Sequence, residues 1–573
     1  MSDIAQQIAE TTAQLTQVGS PFELEDAQYN GVSYKIYPSA PPTMREALAV
    51  GRNHGDALFV QYEGENWTFN NFWKHVDAVA YQLIHRYQVK KGERVAIAMR
   101  NFPEWMAAYA AIISIGAVAV PLNSWGQRDE LQYGLEDSGT TVVFCDQQRY
   151  DYIAEDLVAM SVRAVVVRGS GEHNAKVAES YEQFIDHGKG DALPDLNDYG
   201  FTISPDDQAM ILYTSGTTGR PKGASSRHRH MTQVLVNFDF HATHSAMMNS
   251  NIIEKMMTGY PPKSLLAVPL FHVSGLYAQF LLSLRGGRTI LMMYKWDPDK
   301  ALGLIASERI TALSAAPSMV LDILDHPDFD ASDTSSLIVA SGGGAASPPK
   351  MAQLIKEKIP HPYPGCGYGM TETNASCSSC TGVAFWHKPT SAGLVSPVTE
   401  VKTCDEDGND LPWGETGELY IRSASVADGY WNKPDATAKS FVDGWFVTGD
   451  IGYLDSEGYV FVVDRAKDII IRGGENISAA EVEACYLDHP AIREVGAFAV
   501  PHEKLGEELG LAVFFKDGQS ATAAELKSFA AERMAHFKVP AHYWLRNEPL
   551  PRNAANKVLK NQLKGDFRAL LSK

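Results

Sequence analysis

Short apolar runs and amphipathic stretches take turns along most of the first 380 residues of the chain. "RVAIAM" (94–99), "TTVVFC" (140–145), "RAVVVR" (163–168), "AMILY" (209–213), "SLLAVPL" (264–270), "RTILMM" (288–293) and "SLIVAS" (336–341) read as buried strands. Between them, 69–86 and 274–285 carry apolar residues at i, i+3 and i+4, the spacing of one helix face. That alternation predicts parallel sheets with crossover helices, and more than one such sheet. The run "WMAAYAAIISIGAVAVPL" (105–122) approaches the length of a membrane span. Gly116 and Pro121 interrupt it, so it reads as a buried helix, a glycine stop and a short core strand.

The texture changes between about 390 and 463, where short strands are separated by Gly, Asp and Pro. The turns "DEDGND" and "DSEGY" predict hairpins, hence a small antiparallel, barrel-like subdomain. After "DRAKD" (464–468) the α/β alternation resumes to the end. The fold class expected is α/β. Residues 1–465 form a large domain of two parallel-sheet α/β subdomains plus the β subdomain, and 466–573 a small α+β domain.

Composition narrows the function. The 573 residues include 69 acidic and 50 basic ones, a formal charge of −19, which repels nucleic acid and anionic membranes. No transmembrane segment and no secretory leader is evident, and a cytoplasmic location is expected. The six cysteines are scattered, and Cys377 and Cys380 form a lone CxxC without the spacing of a zinc site; reduced thiols are expected.

Candidate chemistry begins at "YTSGTTGRPKG" (213–223), which holds five hydroxyl side chains, three glycines, an arginine and a lysine. It is not a Walker A loop: Pro221 stands where the second glycine belongs, and Gly223 follows Lys222 where Ser or Thr is needed. A buried strand feeds it and a helical pattern follows, so strand, glycine-rich loop and helix would cradle an anion, with Lys222 supplying charge. In "GYGMTET" (367–373), Tyr368 offers a flat face for a base and Gly369 leaves room beside it. Thr371 can donate to phosphate, and Glu372 is a hard oxygen ligand for Mg2+. "SGGGA" (341–345) follows a strand but lacks the last glycine of a dinucleotide fingerprint. "WFVTGD" ends in Asp450, whose carboxylate can accept both hydroxyls of a ribose.

"YTSGTTGRPKG", "GYGMTE", "TGD", "DRAKD" and a late lysine, in this order, resemble the adenylate-forming enzymes. These include acyl-CoA synthetases, aryl-CoA ligases, firefly-type luciferases and peptide-synthetase adenylation domains. The likeness runs from "YAAIISIGAVAVPLN" (109–123) to Lys557. It implies a large N-terminal domain and a mobile C-terminal one. The reaction it implies joins a carboxylic acid to the α-phosphate of ATP, releases pyrophosphate, and passes the acyl group to coenzyme A. Thr214, Ser215, Gly216, Thr217, Thr218 and Lys222 would surround the β- and γ-phosphates. Gly343, Gly344 and Ala345 would line adenine opposite Tyr368, with Gly367 and Gly369 beside it. Thr371 would contact phosphate, Glu372 and Thr214 would hold Mg2+, and Asp450 and Arg465 would hold the ribose. Lys557 resembles the lysine that bridges carboxylate and α-phosphate, although Asn556 stands where relatives carry glycine; asparagine is the next best residue at positive φ.

The resemblance further implies a hinge at Lys467, with Gly473 and Gly474 of "RGGENI" lining the pantetheine path. Amino-acid-activating relatives carry F-D-x-S where this chain reads Phe271-His272-Val273-Ser274, so no aspartate awaits an α-ammonium. His272 resembles the aromatic gate of acyl-CoA synthetases. A fatty or other hydrophobic carboxylic acid is favoured. An aryl acid, transfer to a carrier protein, and a nucleotide-binding scaffold without activity are the alternatives, and a homodimer is compatible with all of them. The segment 241–263 reads as a longer connection than usual, and "SRHRH" (226–230) as a helix start with solvated charges.

Overall fold

The computed structural model describes residues 3–171, 173–186, 192–214, 220–250, 254, 259–345 and 347–571. Two large sheets carry the chain as far as Val395. The first has eight strands among the described residues, and its centre is parallel. Arg94–Ala98 lies between Val118–Pro121 and Val142–Asp146, with Arg163–Val167 beyond. Nearly every position of these strands is buried, because helices cover both faces of a parallel sheet. That is why they read as unbroken Val/Ala/Ile runs.

The second sheet has nine strands among the described residues. Its parallel centre runs Leu58–Tyr62, Thr289–Met292, Lys263–Leu266, Ala312–Ala315, Val339–Gly343, Gly365–Tyr368. Antiparallel strands close both flanks. Helix Pro103–Ser114 is buried at every position and shares one core with side chains of both sheets, such as Ile97 and Leu265. A helix this apolar is stable only when enclosed in this way, and its one carboxylate, Glu104, is paired with Arg168. Truncating Ile112 to alanine there would cost about 2–5 kcal/mol. Gly116 follows at φ +73, where a side chain would be strained, and turns the chain into Val118–Pro121. Among the described residues no helix is long and apolar enough to cross a membrane.

A third sheet is antiparallel throughout and comprises Thr399–Cys404, Gly417–Ser423, Phe441–Val442, Trp445–Leu454 and Val460–Arg465. The fourth begins at Ile470–Arg472. It pairs Ile492–His502 with Gly506–Phe515 and adds His542–Arg546 in parallel. It has a core of its own. The two are tied together by Asp464, which accepts from Ser478 Oγ at 3.0 Å and from the Ala480 amide at 3.1 Å, at the start of helix Ala479–Leu487.

Two local expectations change. "YTSGTTGRPKG" does not run from strand to helix. It joins Gln208–Thr214 to a second, antiparallel strand, Lys222–Arg227, and the helix His228–Met248 starts only after that. The short polar run "KGASSR" hides a strand because its partners, not its own composition, bury it. The segment 241–263 is likewise not all connection: 241–248 are the last turns of that helix, and 251–253 and 255–258 lie outside the described residues.

Candidate active site

A cavity of about 1980 Å3 lies where the carboxyl ends of the second sheet meet the third and fourth sheets. Thr214 and Lys222 line one side, and Gly343, Gly344, Ala345, Gly367, Tyr368 and Gly369 another. Thr371, Glu372, Asp450, Arg465, Lys467, His272 and Lys557 complete it. Ser215, Gly216, Thr217 and Thr218 lie outside the described residues. Gly473 and Gly474 are not brought to the cavity. They form the turn between Ile470–Arg472 and Glu475–Ile477, both at positive φ.

At one end, hairpin pairing sets Thr214 directly opposite Lys222. The Lys222 ammonium lies 4.1 Å from the centre of the Tyr430 ring. Tyr430 arrives from far along the chain, on Gly429–Tyr430, which adds to the edge of Lys222–Arg227. Its hydroxyl donates to Glu372 Oε1 at 2.7 Å. One aromatic residue therefore seats both the basic and the acidic member of this end. The sequence offered no spacing that would have found it.

At the other end, Asp450 is buried and pairs in register with Arg465 across two strands. Arg465 Nε lies 3.1 Å from Asp450 Oδ1, and the Tyr368 hydroxyl donates to Oδ2 at 2.7 Å. A carboxylate accepts about four hydrogen bonds, so Asp450 keeps capacity for a bound diol. Gly369 has a different reason from the one its sequence suggested. A Cβ there would sit 2.4 Å from the Ala375 backbone, so the missing side chain makes room for the protein's own chain rather than for a base. Gly344 does border open space: a Cβ on it would approach the Lys557 Cε, at 3.8 Å.

Lys557 reaches the cavity from a tight turn of the C-terminal segment. Asn553 and Lys557 exchange hydrogen bonds, the Asn553 amide to the Lys557 carbonyl at 2.9 Å and the Lys557 amide to Asn553 Oδ1 at 3.0 Å. Asn556 sits at φ +61, and its Nδ2 donates to Ser318 Oγ at 2.9 Å, on helix Pro317–Leu324 of the opposite wall. Burial, helped by the nearby Arg465 cation, lowers the Lys557 ammonium to about 8. Burial also pushes His272 down to about 3, with Lys557 adding to it, so its ring is neutral at any working pH. Its Nδ1 lies 2.9 Å from Ser274 Oγ. A neutral ring fixed in this way is a wall or gate, not a proton donor.

The remaining basic and thiol features are structural. Arg227 pairs with Asp428 at 2.6 Å, Arg229 pairs with Asp206, and His228 Nδ1 accepts from the Met44 amide at 3.1 Å. The "SRHRH" charges are thus held by carboxylates rather than left in solvent. Cys380 faces Cys366, with the sulfurs 3.4 Å apart across two antiparallel strands, and not its sequence neighbour Cys377.

The chain is similar in sequence and in fold to known proteins. The sequence model described as AMP-binding enzyme matches residues 48–431, and that of the AMP-binding enzyme C-terminal domain matches 481–557. The chain is 32% identical to a feruloyl-CoA synthase of Amycolatopsis sp, over 89% of this chain and 96% of the relative. It is 30% identical to a long-chain-fatty-acid–CoA ligase of Bacillus subtilis, over 89% and 91%. Among solved structures it is similar to the o-succinylbenzoate CoA synthetase of Bacillus subtilis in complex with its acyl-adenylate intermediate. There the TM-score is 0.73 and the identity 29%, covering 91% of this chain and 98% of that one. The same synthetase with ATP and magnesium ion also gives a TM-score of 0.73.

Proposed function

The chain belongs to the AMP-binding enzyme family and is an AMP-forming acid–CoA synthetase; from that premise we propose that it activates a compact hydrophobic acid, aromatic rather than plainly aliphatic. The acid would lie between helix His228–Met248 and the second sheet. The carrying observation is the course of the cavity beyond His272. Phe238, Phe271, Ala315 and Ala375 wall it, and it continues to Tyr363 and Arg288 at the amino ends of the strands. Ala315 and Ala375 leave room beside the two phenylalanine rings for a flat group, and polar groups at the far end suit an unadorned alkyl tail poorly. A fatty acid is the second reading, supported by the identity to the long-chain ligase.

The first half-reaction brings two anions together, so its chemistry is alignment and charge neutralisation. Lys557 would bridge the carboxylate and the α-phosphate, where one countercharge at ~4 Å and an effective dielectric near 20 is worth about 4 kcal/mol. Lys222 and the hydroxyl-rich loop would hold the departing pyrophosphate, Thr371 the phosphate beside them, and Asp450 with Arg465 the ribose. Glu372 fits a Mg2+ ion that arrives with ATP. Its Oε1 is fixed by Tyr430, and its Oε2 takes no hydrogen bond from the described residues. Mg2+ commonly accepts one or two carboxylates and fills its shell with phosphate oxygens and water. A hydroxyl such as that of Thr214 could join, and no cluster of three or more His, Cys, Asp or Glu occurs among the described residues to compete. When bound, the ion would neutralise phosphate charge. In the second half-reaction the coenzyme A thiol displaces AMP, after the C-terminal segment swings about Lys467.

Acid-dependent ATP–pyrophosphate exchange tests this reading. Aromatic acids should support exchange, adding coenzyme A should convert the adenylate to thioester, and Lys557→Ala should lose exchange. Exchange confined to long-chain fatty acids would replace the aromatic assignment with the second reading.

A further inference from the structure

Arg288 stands at the start of Thr289–Met292 and lines the far end of the same cavity, away from Lys557. Its guanidinium makes no hydrogen bond or ion pair with any described residue. Its side chain is accessible to solvent, yet protein surrounds it closely enough that burial lowers its pKa. Arg288 is exposed to solvent, and its place among the cavity-lining residues sets its charge at one end of that cavity. The neighbouring Asp239 attracts it without forming an ion pair with it. Asp239 is already paired with Arg285, leaving one cation in surplus among the three. The other charged or titratable groups facing this end are Tyr363, which lines the cavity, and His241, whose ring burial keeps neutral. Ser245, Tyr363 and Thr381 are joined by hydrogen bonds and all three line the cavity here.

A solvent-accessible guanidinium without a side-chain partner among the described residues, at the end of a substrate cavity, is free to meet an anionic group. We propose that Arg288 receives an anionic group at the distal end of the substrate acid, so that the preferred substrates are acids with a second carboxylate or an equivalent acidic group. This rests on the acid–CoA ligase reading above and adds a distal anion to its substrate, on a ring or on a chain. The geometry sets the spacing. Val339 and Gly343 mark the two ends of one strand along the cavity. Four residue steps at about 3.3 Å separate them, roughly 13 Å. A longer aliphatic diacid covers most of such a distance, and a ring bearing two carboxylates covers about half of it, with the lysine and arginine side chains reaching in for the rest. Arginine suits the task because its planar donors meet a carboxylate in bidentate fashion.

The test uses matched acids and the intact enzyme. Hexanedioic to decanedioic acids are compared with the monocarboxylic acids of the same lengths, and terephthalic with para-methylbenzoic acid, by ATP–pyrophosphate exchange. The wild type should prefer the diacid of at least one pair by roughly tenfold or more in kcat/KM, mainly through KM. Arg288→Met should erase or invert that ratio, and Arg288→Lys should restore part of it. Thermal midpoint and ATP affinity show that both variants are folded. Exchange with monoacids and no preference in any pair overturns this inference and leaves the acid–CoA ligase standing. A preference unchanged in Arg288→Met overturns it too. No exchange with any acid overturns the functional reading along with it.

Discussion

Asn556 donates from Nδ2 to Ser318 Oγ at 2.9 Å, across the wall of the active-site cavity and one residue before the lysine that enters it. Asparagine at this point does two jobs. It tolerates the positive φ of the turn, and its side chain fastens the turn to helix Pro317–Leu324. Asn556→Gly should keep the backbone and lose the fastening, slowing pyrophosphate exchange a few-fold. Asn556→Ala also places an ordinary side chain in the left-handed region, at about 1–2 kcal/mol, and should slow it by roughly a further tenfold. Ser318→Ala should match Asn556→Gly, and the double variant should be no worse than either. Additive losses would mean that the two residues act separately.

Lys557 predicts a particular pH dependence. Its depressed pKa means that the cation needed between two anions is present below about 8 and is lost as pH rises through that value. The kcat/KM for adenylation should fall above pH 8, while kcat falls at higher pH because bound ATP and acid raise the lysine pKa. His272, near 3, should contribute no inflection above that value. Lys557→Ala should reduce exchange by roughly 10²- to 10³-fold and abolish the alkaline limb. A wild-type profile flat through pH 8 would falsify the assignment.

Tyr430 bears on both ends of the phosphate site. Tyr430→Phe removes only the donor to Glu372 and should raise the Mg2+ concentration needed for half-maximal exchange by about tenfold. Tyr430→Leu also removes the ring beside Lys222, so the KM for ATP should rise as well, by a few-fold. Titrating exchange against Mg2+ and ATP separates the two effects; identical behaviour of the variants would show that the ring carries none of the load.

Lys467 lies in the link between Val460–Arg465 and Ile470–Arg472, the last strand of one sheet and the first of the next. Lys467→Pro fixes one backbone angle of that link. Thioester formation should fail while pyrophosphate exchange persists. Equal loss of both half-reactions in single-turnover assays would remove the hinge role.

Much of this molecule was legible before any coordinates. The unbroken apolar strands, the apolar run 105–122 with its buried helix and the ordered motifs announced a parallel α/β chain of the adenylate-forming kind, because local pattern and burial agree there. What remained hidden were relations that no sequence window contains. "KGASSR" became a strand through its neighbours, Gly369 answers to the Ala375 backbone, and Tyr430 reaches Glu372 from 58 positions away. Arg288 looked like an ordinary charge at the head of a strand. The sequence by itself determined which groups are present and which segments must be buried, since those follow from residue chemistry and period. Tertiary structure alone decided which charge is paired and which is left facing a cavity. Pairing energy depends on distance and surroundings, and these exist only once remote segments have packed together.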